Sequence, residues 1–448
     1  MQRGSAGSAG AERGLPLEGV VVADFSRVLA GPYATMLLAD LGATVIKVER
    51  PGSGDDTRQW GPPWTAHSSA YFESLNRGKR SIALDLGDPG DRESAHELVR
   101  RADVLVENFR AGSLAQHGLD AGSALALNPR LLYTSISGFG SEEGANLPGY
   151  DFVVQAVGGL MSITGETGGA PTKVGVAVVD VLTGKDAALG IMAALRQREG
   201  TGRGQHIEVN LLSSLLSGLV NQMGGFLATG QDPKPMGNKH PSIAPYETLR
   251  CEDALLAVAV GNDAQFRKLT EALGLVGMAD DPRFATNADR VANRDELVSQ
   301  LENVLGARPA EAWQERLQRV GIACGQVNTL ARAVRYAETL GLRPVLAGED
   351  GGNPQIRMPI DFSDLAGTGA SAPDSAAVED GAGSGGAGAG SGGKGDGSLR
   401  GGMPSRPPKL GEHTEEVLNW LSSGEDADLA AWPASAKSPE DGSRDGSS

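Results

Sequence analysis

Cysteine is scarce in this chain. Only Cys251 and Cys324 occur among 448 residues, and they stand far apart in the sequence. This scarcity excludes a disulfide framework and any zinc site built on closely paired cysteines. Each thiol is interpreted as a small core side chain in a reducing compartment, which predicts a cytoplasmic protein without a bound metal.

Long apolar runs are missing too, and basic residues are in the minority. No stretch approaches the roughly 20 apolar residues of a membrane span, and residues 1–14 lack the apolar segment of a signal peptide. Forty Lys and Arg residues face 56 Asp and Glu residues, which gives a net charge of −16. We therefore expect neither nucleic acid nor a membrane as the main partner, although a local basic pocket would still accept an anionic small molecule.

What the chain does contain is a regular alternation of apolar strand patterns and amphipathic helix patterns from residue 15 onward. Such alternation predicts a doubly wound α/β domain with a parallel sheet, whose ligands bind at the C-terminal ends of the strands. The predicted strands span 20–23, 44–48, 104–106, 131–136 and 206–209, and the predicted helices span 33–41, 91–101, 186–198 and 211–227.

Changes in composition divide the chain further. A Pro- and Gly-rich stretch at 231–247 predicts a linker into a second, smaller α/β domain, and a Gly-, Ser- and Ala-rich stretch predicts a flexible insert before a final helix capped by Thr414. The predicted segments are 1–14 (disordered), 15–230 (large domain), 231–340 (linker and small domain), 341–365 (return segment with a strand at 356–360), 366–405 (insert), 406–430 (C-terminal helix packed on the large domain) and 431–448 (disordered).

The stretch 149–184 organises the rest of the chain. It predicts a helix that Gly158 and Gly159 close, then a β-branched strand over 174–179, then Asp180 at the end of that strand. A carboxylate in that position would be accessible to a substrate and still partly desolvated, which favours a catalytic role. The alternative is that Asp180 only caps the next helix, which Thr183 and the following glycine are expected to begin.

The loops predicted to follow the strands carry three arginines, Arg27, Arg50 and Arg110. Basic side chains at strand ends suit a phosphate-bearing ligand, and the alternative is that they are solvated surface charges. The first loop reads LAGPYA instead of a GxGxxG fingerprint, so a dinucleotide such as NAD is disfavoured.

Several ordered strings resemble the class III CoA-transferases, the family of the formyl-CoA and carnitine CoA-transferases. They cover about residues 16–363 and resume at 407–421. The strings are LEGVVVADFSRVLAGPYATMLLADLGATVIKVERPGSGDDTR, LNRGKRSIALDL, ADVLVENFRAGSLAQHGL, NPRLLYTSISGFG, GYDFVVQAVGGLMSITGE, VDVLTG, REGTGRGQHIEV and PPKLGEHTEEVL.

This resemblance implies a fold and an activity. The fold is an interlocked homodimer in which each chain, with its Rossmann-like large domain and smaller domain, is threaded through the other. The activity moves coenzyme A, the co-substrate, from an acyl-CoA to a free carboxylic acid without ATP or metal. Asp180 matches the family nucleophile, which forms an acyl anhydride and then a thioester with CoA.

The resemblance also carries over contacts to CoA. Two departures from the oxalate-type enzymes stand out: Leu29 replaces a glutamine, which disfavours oxalate or formate as the substrate, and Gln116 replaces a basic residue. The matched contact positions are Leu29, Ala30, Arg50, Leu84, Asp85, Leu86, Asn108, Phe109, Arg110 and Tyr150.

Two other functions stay open at this point. An α-methylacyl-CoA racemase looks similar but uses a Gly-His-Asp string, where this chain has Gly149, Tyr150 and Asp151. A tyrosine with a reference pKa of about 10 is a poor base, so racemisation is disfavoured. A non-catalytic CoA-binding protein is the second alternative, and retention of Asp180 argues against it.

Three further strings, GDDTRQWGPP, HPSIAPYE and GNDAQF, are similar to the succinyl-CoA:glutarate branch of the family and imply a short dicarboxylic acid as the acceptor. The second carboxylate of such an acid needs a cation. Arg58, Lys239 and His240 are candidates, and His240 in its Pro-rich loop is preferred. The alternative is that all three are ordinary loop charges.

Overall fold

A computed structural model describes residues 15–348, 352–362 and 406–423 of the chain. The predictions for 1–14, 366–405 and 431–448 fall outside the described residues. Within the described part no single helix has the length and apolar character of a membrane span, and only the bent pair Leu211–Gly218 and Val220–Thr229 meets that criterion when its halves are counted together.

The centre of the fold is a six-stranded sheet in which every neighbouring pair is parallel. The strand order is β3-β2-β1-β4-β5-β6, the order of a doubly wound dinucleotide-type sheet. The predicted α/β class with a parallel sheet is confirmed. The strands are β1 (Val21–Asp24), β2 (Thr44–Glu49), β3 (Lys79–Ala83), β4 (Val104–Glu107), β5 (Leu132–Ser137) and β6 (Gln205–Asn210).

Helices cover both faces of this sheet and form two apolar cores. One core packs α1, α7 and α8 against the sheet, and the other packs α3, α4 and the C-terminal helix against the opposite face. The helices of this region are α1 (Ala30–Asp40), α2 (Ala70–Glu73), α3 (Pro89–Arg101), α4 (Ala121–Leu127), α5 (Asp151–Val157), α6 (Leu160–Ile163), α7 (Val178–Thr201), α8 (Leu211–Gly218) and α9 (Val220–Thr229).

A second sheet follows, with its own apolar core around Phe266, Phe284 and Trp313. Its three strands are antiparallel in the order β7-β8-β9. The elements are β7 (Tyr246–Arg250), β8 (Leu255–Ala259), α10 (Asp263–Leu273), α11 (Asn287–Ala292), α12 (Arg294–Leu305), α13 (Ala310–Arg319), β9 (Ala323–Gln326), α14 (Leu330–Thr339), β10 (Val345–Leu346) and β11 (Gln355–Ile356).

The strand predicted over 174–179 is wrong. No strand forms there, and α7 begins at Val178, so Asp180 lies in the first turn of a helix. Nor does Thr183 begin a new helix, because α7 runs through it without a break. The helix wins over the β-branched sequence because Asp151 caps its first turn and its apolar face packs on α1. Gly184 permits that packing, since a Cβ there would lie 2.7 Å from the Ala30 carbonyl oxygen.

Three further predictions need correction. The helix predicted over 211–227 is two helices, which meet at an angle of 79°. The strand predicted over 356–360 keeps only its first residue, in the two-residue strand β11. Thr414 does not cap the final helix, α15 (Thr414–Ser422), but is its first residue.

Residues 406–423 close one edge of the main sheet. Along β3, the Ala83 N–H donates to Thr414 Oγ1 (3.0 Å), and the Ser81 backbone exchanges hydrogen bonds with His413. Val417 and Leu421 of α15 are buried in the core beside α3. The C-terminal segment thereby pairs a strand edge that would otherwise be open.

Candidate active site

A cleft of about 610 Å³ opens at the C-terminal ends of β1, β4 and β5. The chain leaves β1 and β4, which are neighbours, toward opposite halves of the sheet, and this switch point is where doubly wound sheets bind ligands. The loop after β5 stays close to the cleft because two glycines touch: a Cβ on Gly138 would lie 2.6 Å from the Cα of Gly149. This contact brings Tyr150 to the cleft.

The loop between β1 and α1 forms one wall of the cleft and is held from both sides. The Arg27 N–H donates to Asn108 Oδ1 (2.8 Å), and Asn108 Nδ2 donates back to the Arg27 carbonyl oxygen (2.7 Å). Val28 follows with a backbone φ of +70°, in the left-handed region that a β-branched residue rarely adopts. Leu29 then precedes α1 and Ala30 begins it, and both buried residues line the cleft.

Asp180 lines the same cleft, half-buried in the first turn of α7. Asp151 holds this turn, because its Oδ1 accepts hydrogen bonds from the N–H groups of Val179 (2.8 Å) and Asp180 (3.3 Å). Gln155 adds a second tie: it donates to Asp151 Oδ2 (2.6 Å) and accepts from the Val174 N–H (2.9 Å). Helix α5 therefore fixes the position of Asp180 through its own polar side chains.

The electrostatic surroundings of Asp180 shift the pKa of its carboxyl group toward neutral pH. Partial burial, reinforced by the negative charge of Asp151, raises the pKa of Asp180 to about 7. Burial together with the charges of Asp180, Asp151 and Asp55 also raises the pKa of Tyr71 to about 12. Tyr71 therefore keeps its proton at neutral pH, and the negative charge of Asp180 contributes to this.

Activity should rise with pH as Asp180 ionises, if its carboxylate is the reacting group. We expect kcat/KM for acyl-CoA to increase about tenfold per pH unit below an apparent pKa near 7 and to level off above it. Initial rates between pH 5 and 9 measure this profile. A flat profile down to pH 5 would contradict an ionisation near pH 7 in the reacting group.

The predicted contacts to CoA divide between this cleft and a second cavity of about 210 Å³ at the ends of β2 and β3. The guanidinium of Arg27 lies 5.2 Å from the centre of the Phe109 ring, and both residues line both spaces. The cleft contains Leu29, Ala30, Asn108, Phe109, Arg110, Tyr150 and Asp180, and the second cavity contains Arg50, Leu84, Asp85, Leu86 and Phe109.

The candidate cations for a second carboxylate are not in the cleft. Arg58 is buried and ion-paired with Glu49 (2.7 Å), so its charge is already compensated by a residue of β2. Lys239 pairs with Asp295 at 3.2 Å on the surface. The His240 ring packs 5.1 Å from that of Tyr246 in the second region, and its Nδ1 accepts from the Ser242 N–H.

Sequence reasoning missed two residues that interact with Asp180, namely Asp151 and Tyr71. The sequence pointed to Asp151 only through its neighbour Tyr150, which stands where the racemases have a histidine. Tyr71 had no local pattern to reveal it, because it lies far before Asp180 in the sequence. Among the described residues, no group of three or more His, Cys, Asp or Glu side chains is arranged to hold a metal.

Comparison with known proteins identifies the class. Residues 17–376 match the model of CoA-transferase family III. The chain therefore belongs to this family, and it is a CoA-transferase by its relatives as well.

Several relatives are named as CoA-transferases. A succinate–glutarate CoA-transferase of Agrobacterium fabrum is 44% identical, over 90% of this chain and 95% of its own. An acetyl-CoA:oxalate CoA-transferase of Acetobacter aceti is 42% identical, over 72% of this chain and 84% of its own. Among solved structures, a CAIB/BAIF family protein from Brucella suis is 40% identical with a TM-score of 0.76, over 91% of this chain and 100% of that chain.

Proposed function

We propose that this enzyme moves CoA from a donor thioester to a short dicarboxylic acid, with Asp180 as the covalent carrier. The observation that carries the proposal is a half-buried carboxyl group with a pKa of about 7 at the wall of a cleft that also holds six of the ten matched CoA positions. The names of the succinate–glutarate and oxalate relatives support a dicarboxylic substrate.

The test of this function is a grid of acyl-CoA donors against carboxylic acids, with each new thioester detected by mass. We expect the highest kcat/KM for acids with two carboxylates separated by two or three methylenes. Preference for monocarboxylic acids across the grid would contradict the proposed substrate class.

The reaction proceeds in four nucleophilic steps. The Asp180 carboxylate attacks the thioester carbonyl; the C–S bond breaks, leaving an acyl–aspartyl anhydride and CoA thiolate. The thiolate attacks the aspartyl carbonyl and releases the donor acid, which leaves Asp180 as a CoA thioester. The acceptor carboxylate attacks the carbonyl of that thioester; the C–S bond breaks, leaving an acceptor–aspartyl anhydride and CoA thiolate. The thiolate then attacks the acceptor acyl carbonyl, which forms the product thioester and releases the Asp180 carboxylate.

The surroundings of Asp180 suit these steps. The N-terminus of α7 stabilises the ionised carboxylate, while burial and Asp151 raise its pKa and so keep it a stronger nucleophile than a free aspartate. Anhydrides hydrolyse readily, and a partly buried position limits access of water.

The acceptor's second carboxylate requires a cation, and we retain His240 for that role. In a single chain His240 does not line the cleft. We therefore propose that His240 of each subunit reaches the cleft of the other subunit across the dimer interface. The Pro-rich loop that carries it touches the segment after α6, since the Gly237 N–H donates to the Gly165 carbonyl oxygen (2.9 Å).

Replacement of His240 by alanine tests this assignment. We expect the KM for dicarboxylic acids to rise about tenfold, with the KM for monocarboxylic acids unchanged, because only the former lose an ion pair. Lys239→Ala is the matched control, since that neighbouring cation is already paired with Asp295. Equal effects of His240→Ala on both kinds of acid would remove His240 from the acceptor site.

We also propose the interlocked homodimer, with a large domain over 15–230, a small domain over 231–340 and the return segment after it. Large apolar side chains on α5, α14 and their flanks are exposed in the single chain, and such surface is typical of a protein interface. They are Tyr150, Phe152 and Val157 near α5, and Leu330, Tyr336, Leu340 and Leu342 near α14.

The dimer has a direct test. Light scattering coupled to size exclusion should give twice the mass of one chain, and the dimer should persist on dilution to nanomolar concentrations because threaded chains cannot separate without unfolding. A monomer, or a dimer that dissociates on dilution while it stays folded, would contradict the interlocked arrangement.

A further inference from the structure

Val28 is held in an unfavourable backbone conformation at the active-site end of β1. Its φ of +70° is one of only two positive values at non-glycine residues in the described chain. For a β-branched side chain this conformation is a true outlier. Residues held this way persist only where their surroundings fix them, and they cluster at functional sites.

The side chain of Asn108 holds the residue just before Val28. It binds the two polar backbone atoms of Arg27, the residue just before Val28, at 2.8 Å and 2.7 Å. The Val28 N–H itself has only a long contact to Asp55 Oδ1, at 3.4 Å. Asn108 lies at the end of β4, the neighbour of β1 in the sheet, so it approaches the turn from a rigid element.

The consequence of the turn is the placement of the residues after it. Leu29 and Ala30, both buried, line the cleft that contains Asp180, and they start α1 directly after Val28. On the other side of the turn, Arg27 lies over the ring of Phe109, where the cleft meets the second cavity. A relaxed Val28 would therefore change the direction of both walls.

We propose that Asn108 is a positioning residue, which holds the strained Val28 turn and thereby fixes Leu29 and Ala30 beside Asp180. It acts on CoA through the turn, while a residue that contacts CoA directly would act without it. This inference rests on the proposed function, in which the cleft beside Asp180 receives the acyl-CoA.

The geometry gives the expected size of the effect. Without Asn108, Val28 relaxes toward ordinary φ values, and the fraction of enzyme that is ready to bind falls about 10- to 100-fold. The KM for acyl-CoA should rise by that factor while kcat changes little. We call the two hydrogen bonds between the Asn108 side chain and the Arg27 backbone the clamp. Glycine adopts φ of +70° freely, so in the Val28→Gly variant the turn should keep its conformation without the clamp.

A double-mutant cycle of Asn108→Ala and Val28→Gly tests the proposal. Asn108→Ala should raise the KM for acyl-CoA about 10- to 100-fold when residue 28 is valine, and less than about threefold when it is glycine. An equal loss in both backgrounds would mean that Asn108 contacts CoA directly, and no loss in either would mean that it holds nothing; both results overturn the inference. Asn108→Asp, which keeps the acceptor and loses the donor, replaces the alanine variant if that variant does not fold.

Arg110→Ala is the matched control. Arg110 lines the same cleft, and its guanidinium donates to Asn146 Oδ1 (3.5 Å), away from the Val28 turn. Its loss should cost the same in both backgrounds, and rescue of this variant too by Val28→Gly would overturn the inference, because the rescue would not be specific to the clamp. Asp180→Ala, assayed in parallel, reports on the nucleophile alone, so failure of the proposed chemistry and failure of the clamp give different results.

Discussion

Replacement of Asp180 by alanine is expected to abolish CoA transfer, with kcat reduced by about 10⁴-fold or more. The proposed reaction makes or breaks a covalent bond to this carboxylate in every step, so its removal leaves the acyl group and CoA without a carrier. Binding of CoA should stay within about threefold of the wild type, because the side chain contributes bonds to the reaction and little to affinity. Product formation by mass and binding by calorimetry measure the two quantities separately.

Asp180→Asn is the matched control, since it keeps the shape of the side chain and loses the carboxylate. It should be as inactive as Asp180→Ala. Activity of either variant within about tenfold of the wild type would end the assignment of Asp180 as the nucleophile.

The asparagine variant should also be more stable than the wild type at high pH. The pKa of Asp180 is about 7 in the folded protein and roughly 3.9 in an unfolded chain. The free energy of unfolding therefore falls as pH rises through that window, because the unfolded chain ionises first. We expect Asp180→Asn to raise Tm at pH 8 and to leave it unchanged at pH 3.5. Thermal unfolding at the two pH values measures the difference, and an equal effect at both would contradict the raised pKa.

Replacement of Asp151 by alanine is expected to have the second-largest effect, a loss of about 100-fold in kcat. Its carboxylate accepts the N–H groups of Val179 and Asp180, and its removal leaves buried donors in the first turn of α7 without a partner. That turn carries the proposed nucleophile, so a small displacement is costly for the reaction. Steady-state kinetics with saturating substrates measure the loss.

Asp151→Asn separates the two roles of this side chain. The amide keeps an acceptor for the first turn of α7, and it removes the charge that helps to raise the pKa of Asp180. We expect activity within about tenfold of the wild type, with the pH profile shifted toward lower pH. Equal losses in the alanine and asparagine variants would show that the charge, and not the cap, is what matters.

The main sheet was predictable where strands are buried on both faces. VVAD of β1 and VLVE of β4 are apolar runs of the kind that parallel strands require, and both were found. Strand β3 was missed because its sequence, KRSIA, is half polar. Lys79 and Ser81 are buried there by partners from other elements, the Asp24 carboxylate (3.0 Å) and the Glu49 carboxylate (2.6 Å), which no local pattern reveals.

The prediction for the start of α7 was wrong for a related reason. The residues before Asp180 have the composition of a strand, and local propensity favours one. A side chain on a different helix, Asp151, decides the outcome by capping the turn, and a capping partner 28 residues away is a tertiary fact. Asp180 stays the proposed nucleophile despite this error, because the matched string supports the assignment independently of the predicted strand.

The candidate site was predictable to the extent that it lies at strand ends. Leu29, Asn108 and Arg50 follow β1, β4 and β2, and the topology brings them to one edge of the sheet. The cation for the acceptor was not predictable in this way. Arg58 looked free in the sequence, yet the fold uses it to neutralise Glu49 and to bind the Pro408 carbonyl oxygen.

Chemical capture of the covalent intermediate tests the central claim most directly. The enzyme is incubated with acyl-CoA, treated with hydroxylamine, digested and examined by mass spectrometry. The account predicts a hydroxamate on the peptide that contains Asp180, and none when acyl-CoA is left out. An unmodified Asp180 peptide in an enzyme that continues to turn over would contradict it.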